Sequence, residues 1–148
     1  MTAAPAGQQQ VRLSRKVPQP SPESQPFWDG CARHELLLQR CGPNGHTWFP
    51  PSSLCPRCWS THVEWTPAAG VGTIFSFTVY RRAYAAELAS QVPYVVGIVE
   101  LAEGPRLITN IVDCEPADIA VGMPVEVVFE DLTDDFTLHA FRPRRDLH

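Results

Sequence analysis

Residues 41–58 read CGPNGHTWFPPSSLCPRC, and the cysteine spacing here constrains the chain more than any other feature. Cys55 and Cys58 form a C-x2-C knuckle, which lets two thiolates bind one metal while the following backbone amides point at the sulfurs. Cys41 stands fourteen positions before Cys55, where the first knuckle of a four-cysteine zinc site would begin. Its expected partner three residues on is Asn44, not cysteine. A structural Zn2+ takes four ligands, usually thiolate or imidazole. Asn44 is neutral and hard, so the remaining corner falls best to His46 in the same loop, with Cys31 and His62 as more distant candidates. The expected cofactor is zinc, with Cys41, Cys55, Cys58 and His46 as its ligands, bound weakly or not at all because Asn44 replaces the fourth cysteine. A site of this kind is a scaffold device, not a catalytic one.

The rest of the composition narrows the class. Twelve basic against sixteen acidic residues leave a net charge of −4, so nucleic acid is not the expected partner. A hydrophobic content of 44% builds a core only if most of the chain takes part. Fifteen prolines, about twice average usage, concentrate in the first 70 residues and predict a loop-rich first half. The opening MTAAPAGQQQVRLSRK has no apolar segment of the secretory kind, and no run approaches a membrane span. The expectation is a cytoplasmic, reduced protein with no membrane partner. In that setting its five cysteines read as metal ligands before disulfides.

Three segments follow along the chain. Residues 1–20 form a polar arm rich in Gln, Pro and Ala, expected to be disordered. Residues 21–66 hold a short helix and the cysteine segment. Ser24 suits a helix N-cap, Pro26 sits in the first turn, and Gly30 or a neighbour should end the helix. Residues 35–40 (ELLLQR) and 62–65 (HVEW) read as strands flanking the cysteines. Pro67 and Gly70 mark a boundary, and residues 67–148 change pattern. Strands are expected at residues 71–82, 94–101, 107–112, 125–130 and 137–141, with a helical turn at 115–119 between the third and fourth. Five strands with that insert outline an OB-fold barrel, so the fold class is mainly β.

The ordered motifs resemble one family. They are Phe27 and Trp28 followed by Asp29 and Gly30, residues 36–41, Phe49-Pro50-Pro51, the knuckle at Cys55 and Cys58, residues 70–78, and the turn at 122–125. Together they resemble the rubredoxin-like zinc-ribbon plus OB-fold proteins that accompany thiolase-like enzymes, over residues 22–142. The resemblance implies a small accessory subunit of a multi-subunit acyltransferase, bridging thiolase-like and hydroxymethylglutaryl-CoA-synthase-like partners. Within the family, the small subunit of a bacterial phloroglucinol C-acetyltransferase is the nearest expectation, and a steroid side-chain aldolase partner is the alternative. It implies no catalytic residue in this chain, because the nucleophilic cysteine of thiolase chemistry lies in another subunit. The family's ribbon has four cysteines, and this chain departs at Asn44.

The aromatics around the cysteines, Phe27, Trp28, Trp48, Phe49, Trp59 and Trp65, are dense for a small module. Some must fill its core, and the rest are candidate partner anchors, with Trp28 and Trp48 first. The loop at 83–93 follows Arg81 and Arg82 and carries Tyr84. Phe27, Trp28, Trp48, Arg81, Arg82 and Tyr84 make up the expected partner surface. Arg142, Arg144 and Arg145 in the tail are further candidates for an acidic surface or a phosphate. Cys31 and Cys114 have no motif around them, and His34 and His139 read as ordinary surface or strand residues. Two rivals remain. A free OB-fold module for single-stranded nucleic acid would need a basic groove. A rubredoxin-like electron carrier would need four thiolates for iron.

Overall fold

The computed structural model describes residues 17–145. Most of the arm expected over residues 1–20 lies outside that range. Among the described residues the first helix or strand is α1, Gln25–Ala32. Ser24 is its N-cap residue, but its side chain makes no capping bond. It turns back instead, and its Oγ accepts the Ser21 amide at 2.9 Å. Gly30 does not end the helix. A Cβ there would lie 2.8 Å from both Cγ and Cδ1 of Leu37, so only glycine lets the next strand cross this closely. The helix runs to Ala32 and is closed by His34 at φ 59, with the Arg33 and Glu35 amides both donating to the Gly30 carbonyl.

Strands β1 (Leu37–Cys41), β2 (Thr47–Trp48) and β3 (Val63–Pro67) form a small sheet in the order β2-β1-β3. Five longer strands follow: β4 (Val71–Tyr80), β5 (Tyr94–Leu101), β6 (Arg106–Ile111), β7 (Pro124–Thr133) and β8 (Phe136–Pro143). They close a barrel in the order β4-β5-β6-β8-β7. Neighbours are antiparallel except β6 and β8, which meet in parallel at Ile111 and Phe141. A short 3-10 turn, Pro116–Asp118, lies between β6 and β7. That is the OB-fold outline expected from the sequence. The strand periodicity is direct: along β5 buried and half-exposed residues alternate without a break, as a sheet with one inner face requires. A register shift between Ile74 and Ser76 bends β4, so that it pairs with β5 and with β7 to close the barrel.

Helix, small sheet and barrel share one hydrophobic core. Phe27, Cys31, Leu36 and Leu38 pack in the same cluster as Ile74, Val99, Leu107, Val125 and Phe141. Phe27 is 2% exposed, and its ring lies 5.2 Å from Phe49 and 5.5 Å from His139 on β8. A second, minor core consists of Cys41, Trp48 and Cys55, with Val63 against it. Among the described residues no helix is long and apolar enough to cross a membrane.

Two outcomes follow for stability. Gly30→Ala would ordinarily gain up to about 1 kcal/mol in a helix interior. Here overpacking against Leu37 should win, with a net loss of about 1–3 kcal/mol read from the urea midpoint. His139 sits between the Phe27 and Trp28 rings, with Nδ1 3.1 Å from the Thr109 hydroxyl. Burial pushes its pKa from 6.5 down to about 4. The unfolded chain therefore takes up the proton first, and stability present above pH 6.5 is lost as the pH falls toward 4. Between pH 7 and pH 4.5 the loss should be about 2 kcal/mol, since pH 4.5 still lies above the folded-state value. Urea unfolding of the native chain at pH 7 and pH 4.5, compared with His139→Gln, should show that difference in the native chain alone.

Candidate metal centre and exposed loop

Two hairpin-like turns carry the cysteines. β1 ends on Cys41, whose amide donates to the His46 carbonyl at 2.8 Å and whose carbonyl accepts from Gly45 at 2.8 Å. The second turn is closed by the Trp59 amide, which donates to the Cys55 carbonyl at 2.9 Å. Trp59 takes φ 63 there. These turns bring Cys41, Cys55 and Cys58 together, with their sulfurs all within 4.8 Å of one another. Cys41 Sγ and Cys58 Sγ are 3.5 Å apart. Thiolates on a tetrahedral zinc sit about 2.3 Å from the ion, hence about 3.8 Å from each other. The three sulfurs therefore fit zinc, which would cross-link the two turns when bound.

Outer contacts favour thiolate at one corner. Burial acts to raise the Cys55 pKa, but the Cys58 and Arg57 amides and the Asn44 side chain outweigh it and hold the thiol at about 7. The Arg57 amide donates to Cys55 Sγ at 3.4 Å, and Asn44 Nδ2 at 3.6 Å. Cys41 is pushed up, chiefly by burial. His46 is not drawn into this group. Its ring stacks on Trp48 at 5.9 Å, and among the described residues the cluster is made by the three cysteines alone. Cys31 and His62 also stay outside it. Burial takes the Cys31 thiol up to about 12. Cys114 is raised by burial and by the nearby Asp118 and Glu115 carboxylates. Neither is an activated nucleophile.

The expected partner surface divides. Phe27 and Trp48, at 2% and 6% exposure, are core residues and cannot meet a partner without opening the fold. Trp28 is half-buried, edge-on to Phe27 and tilted over Phe136 at 4.9 Å. Arg81 and Arg82 are exposed, and Tyr84 is 76% exposed, with the Arg82 guanidinium 5.8 Å from its ring centroid. Parallel stacking of Tyr80 on Tyr94 at 5.0 Å pins the base of that loop. Trp59 is 75% exposed at the tip of the second turn, a better anchor than Trp48. The signal in the sequence was its place one residue beyond the knuckle, at the outer end of a tight turn. Arg142, expected in the tail, lies on β8 and is paired with Glu126 of β7 at 3.4 Å.

Comparison with known proteins places the chain. Residues 28–64 match the ChsH2 rubredoxin-like zinc ribbon domain, and residues 65–130 match the ChsH2 C-terminal OB-fold domain. A DUF35 domain-containing scaffold protein of Methanocaldococcus jannaschii is 38% identical over 104 residues, 70% of this chain and 73% of that one. The chain belongs to the DUF35 family. This DUF35 protein is also similar to a probable enoyl-CoA hydratase alpha subunit of Thermomonospora curvata, 37% identical over 118 residues. That match takes in 79% of this chain, which spans only 36% of the subunit's length. Among solved structures it resembles a chain of the Ltp2-ChsH2(DUF35) aldolase with a TM-score of 0.79 and 34% identity, covering 85% of this chain and 98% of that one.

Zinc titration against a chelator checks the centre. Loss of an outer contact costs about 10–100-fold in affinity, so Asn44→Ala should weaken zinc about 10-fold. Cys55→Ser removes a direct ligand and should cost at least about 100-fold.

Proposed function

We propose that this chain is a non-catalytic accessory subunit that docks on a thiolase-like enzyme and holds it in a complex acting on thioesters. The observation that carries the reading is its likeness to nearly the whole length of a chain in the Ltp2-ChsH2(DUF35) aldolase. The archaeal relative named a scaffold protein points the same way. Outside the metal turns, the described cysteines Cys31 and Cys114 both have raised thiols, which suits a supporting role better than a nucleophilic one. Trp59, Arg81, Arg82 and Tyr84 are exposed groups of the kinds that anchor interfaces.

The finer reading is carbon–carbon bond chemistry by acyl transfer, such as phloroglucinol C-acetylation. Thiolase-like and hydroxymethylglutaryl-CoA-synthase-like chains would be its partners in the cytoplasm. The aldolase neighbour favours a second reading, partnership in a steroid side-chain aldolase. Neither a membrane nor nucleic acid is part of the proposal, in keeping with a net charge of −4.

A native pull-down with mass spectrometry separates these readings. Recovery of thiolase-like and synthase-like chains together supports the acyltransferase, and recovery of a single thiolase-like chain with a hydratase supports the aldolase. A chain recovered alone, or with nucleic acid, overturns both. With the partner in hand, Trp59→Ala should weaken binding about 10-fold or more, since buried aromatic anchors are worth about 2 kcal/mol. Arg82→Glu should mainly slow association at low salt. Unfolding midpoints should not move in either variant.

A further inference from the structure

The two cysteine turns are alike in backbone and unlike in chemistry. In the first, residue 44 holds the place that Cys58 holds in the second. Asn44 Oδ1 accepts the His46 amide at 2.7 Å. That bond fixes the side-chain amide, so its nitrogen faces Cys55 Sγ at 3.6 Å. The oxygen is the only side-chain atom of asparagine able to ligate a metal, and it is turned to the His46 amide while the nitrogen faces the sulfur. Asn44 is thus a donor to a sulfur and not a fourth ligand.

No other His, Cys, Asp or Glu of the described residues takes that corner. The group of His, Cys, Asp and Glu ligand atoms closes at three sulfurs. Cys31 is in the main core and His46 is stacked on Trp48. The corner also faces outward: Asn44 and Cys58 are exposed, while Cys41 and Cys55 are buried. Cations flank it. Arg57 lines the same cavity as His46, and the Arg40 guanidinium lies along Gly45, although Glu64 approaches Gly42 on the other flank.

We infer that Cys41, Cys55 and Cys58 hold a metal through three thiolates only and leave the fourth position open to a small thiol from outside the chain. A borderline-soft ion bound by three thiolates accepts a fourth sulfur readily. With a metal bound, the incoming thiol would give its proton to solvent, and its sulfur would displace to bulk the water held at the fourth position. The excess negative charge then falls near Arg57 and Arg40. The departure at Asn44 therefore turns a closed structural corner into a binding position, whether or not a protein partner is present.

Cobalt(II) substitution tests this, because the sulfur-to-cobalt charge-transfer absorbance grows with the number of thiolates. The full chain loaded with Co(II) is titrated with 2-mercaptoethanol and, separately, with imidazole. The same is done for Asn44→Cys and His46→Ala. Native chain should start at about three quarters of the Asn44→Cys absorbance and rise to match it with thiol. Asn44→Cys should not respond, and His46→Ala should behave as the native chain does. A native spectrum indifferent to thiol, a native response to imidazole but not thiol, or a His46→Ala spectrum that differs before any addition would overturn the inference. So would a native chain that takes no cobalt while Asn44→Cys does. Far-UV circular dichroism of each variant separates lost ligation from lost folding.

Discussion

The burial of Phe27 is the contact on which the rest of the molecule depends. Its ring is held among Trp28, Phe49 and His139, so one side chain touches the helix, the cysteine segment and the barrel. A small sheet of three strands, one of them two residues long, cannot bury enough surface to stand alone. It borrows the barrel's core through α1 and β1. Gly30 permits this by letting Leu37 lie against the helix. The metal turns are then presented from a fixed platform instead of from a free loop.

Much of this was legible in the sequence because it depends on period and spacing. The five barrel strands follow from alternation in residues such as Val95, Val99 and Leu101, which all point inward. The meeting of the three cysteines follows from knuckle spacing. What was not legible depends on where a side chain points after packing. Phe27 and Trp48 looked like anchors because they are large and near a loop, yet the shared core takes Phe27 and the sparse core of the cysteine segment takes Trp48. Trp59 looked equivalent and is exposed, because a turn at positive φ throws it outward. His46 has the right chemistry for a ligand, but stacking on Trp48 competes for its ring. Gly30 read as a helix stop because glycine usually stops helices, whereas here close approach of a strand requires it.

A DUF35 chain of this design separates its tasks in space. The shared core fixes orientation, the turns offer three clustered thiols and an exposed tryptophan, and the loop after β4 offers arginines and a tyrosine at another end of the barrel. Nothing in this division requires the chain to perform chemistry. It requires the parts to keep their relative positions when a partner binds.

Hydrogen exchange tests that requirement most directly. If helix, small sheet and barrel are one cooperative unit, protected amides in α1 and β1 should open with the same free energy as those in β8, and all should shift together with Phe27→Leu. If α1 and β1 instead exchange through an opening about 2 kcal/mol or more below that of β8, and Phe27→Leu leaves β8 unchanged, the core is not shared and the platform does not exist.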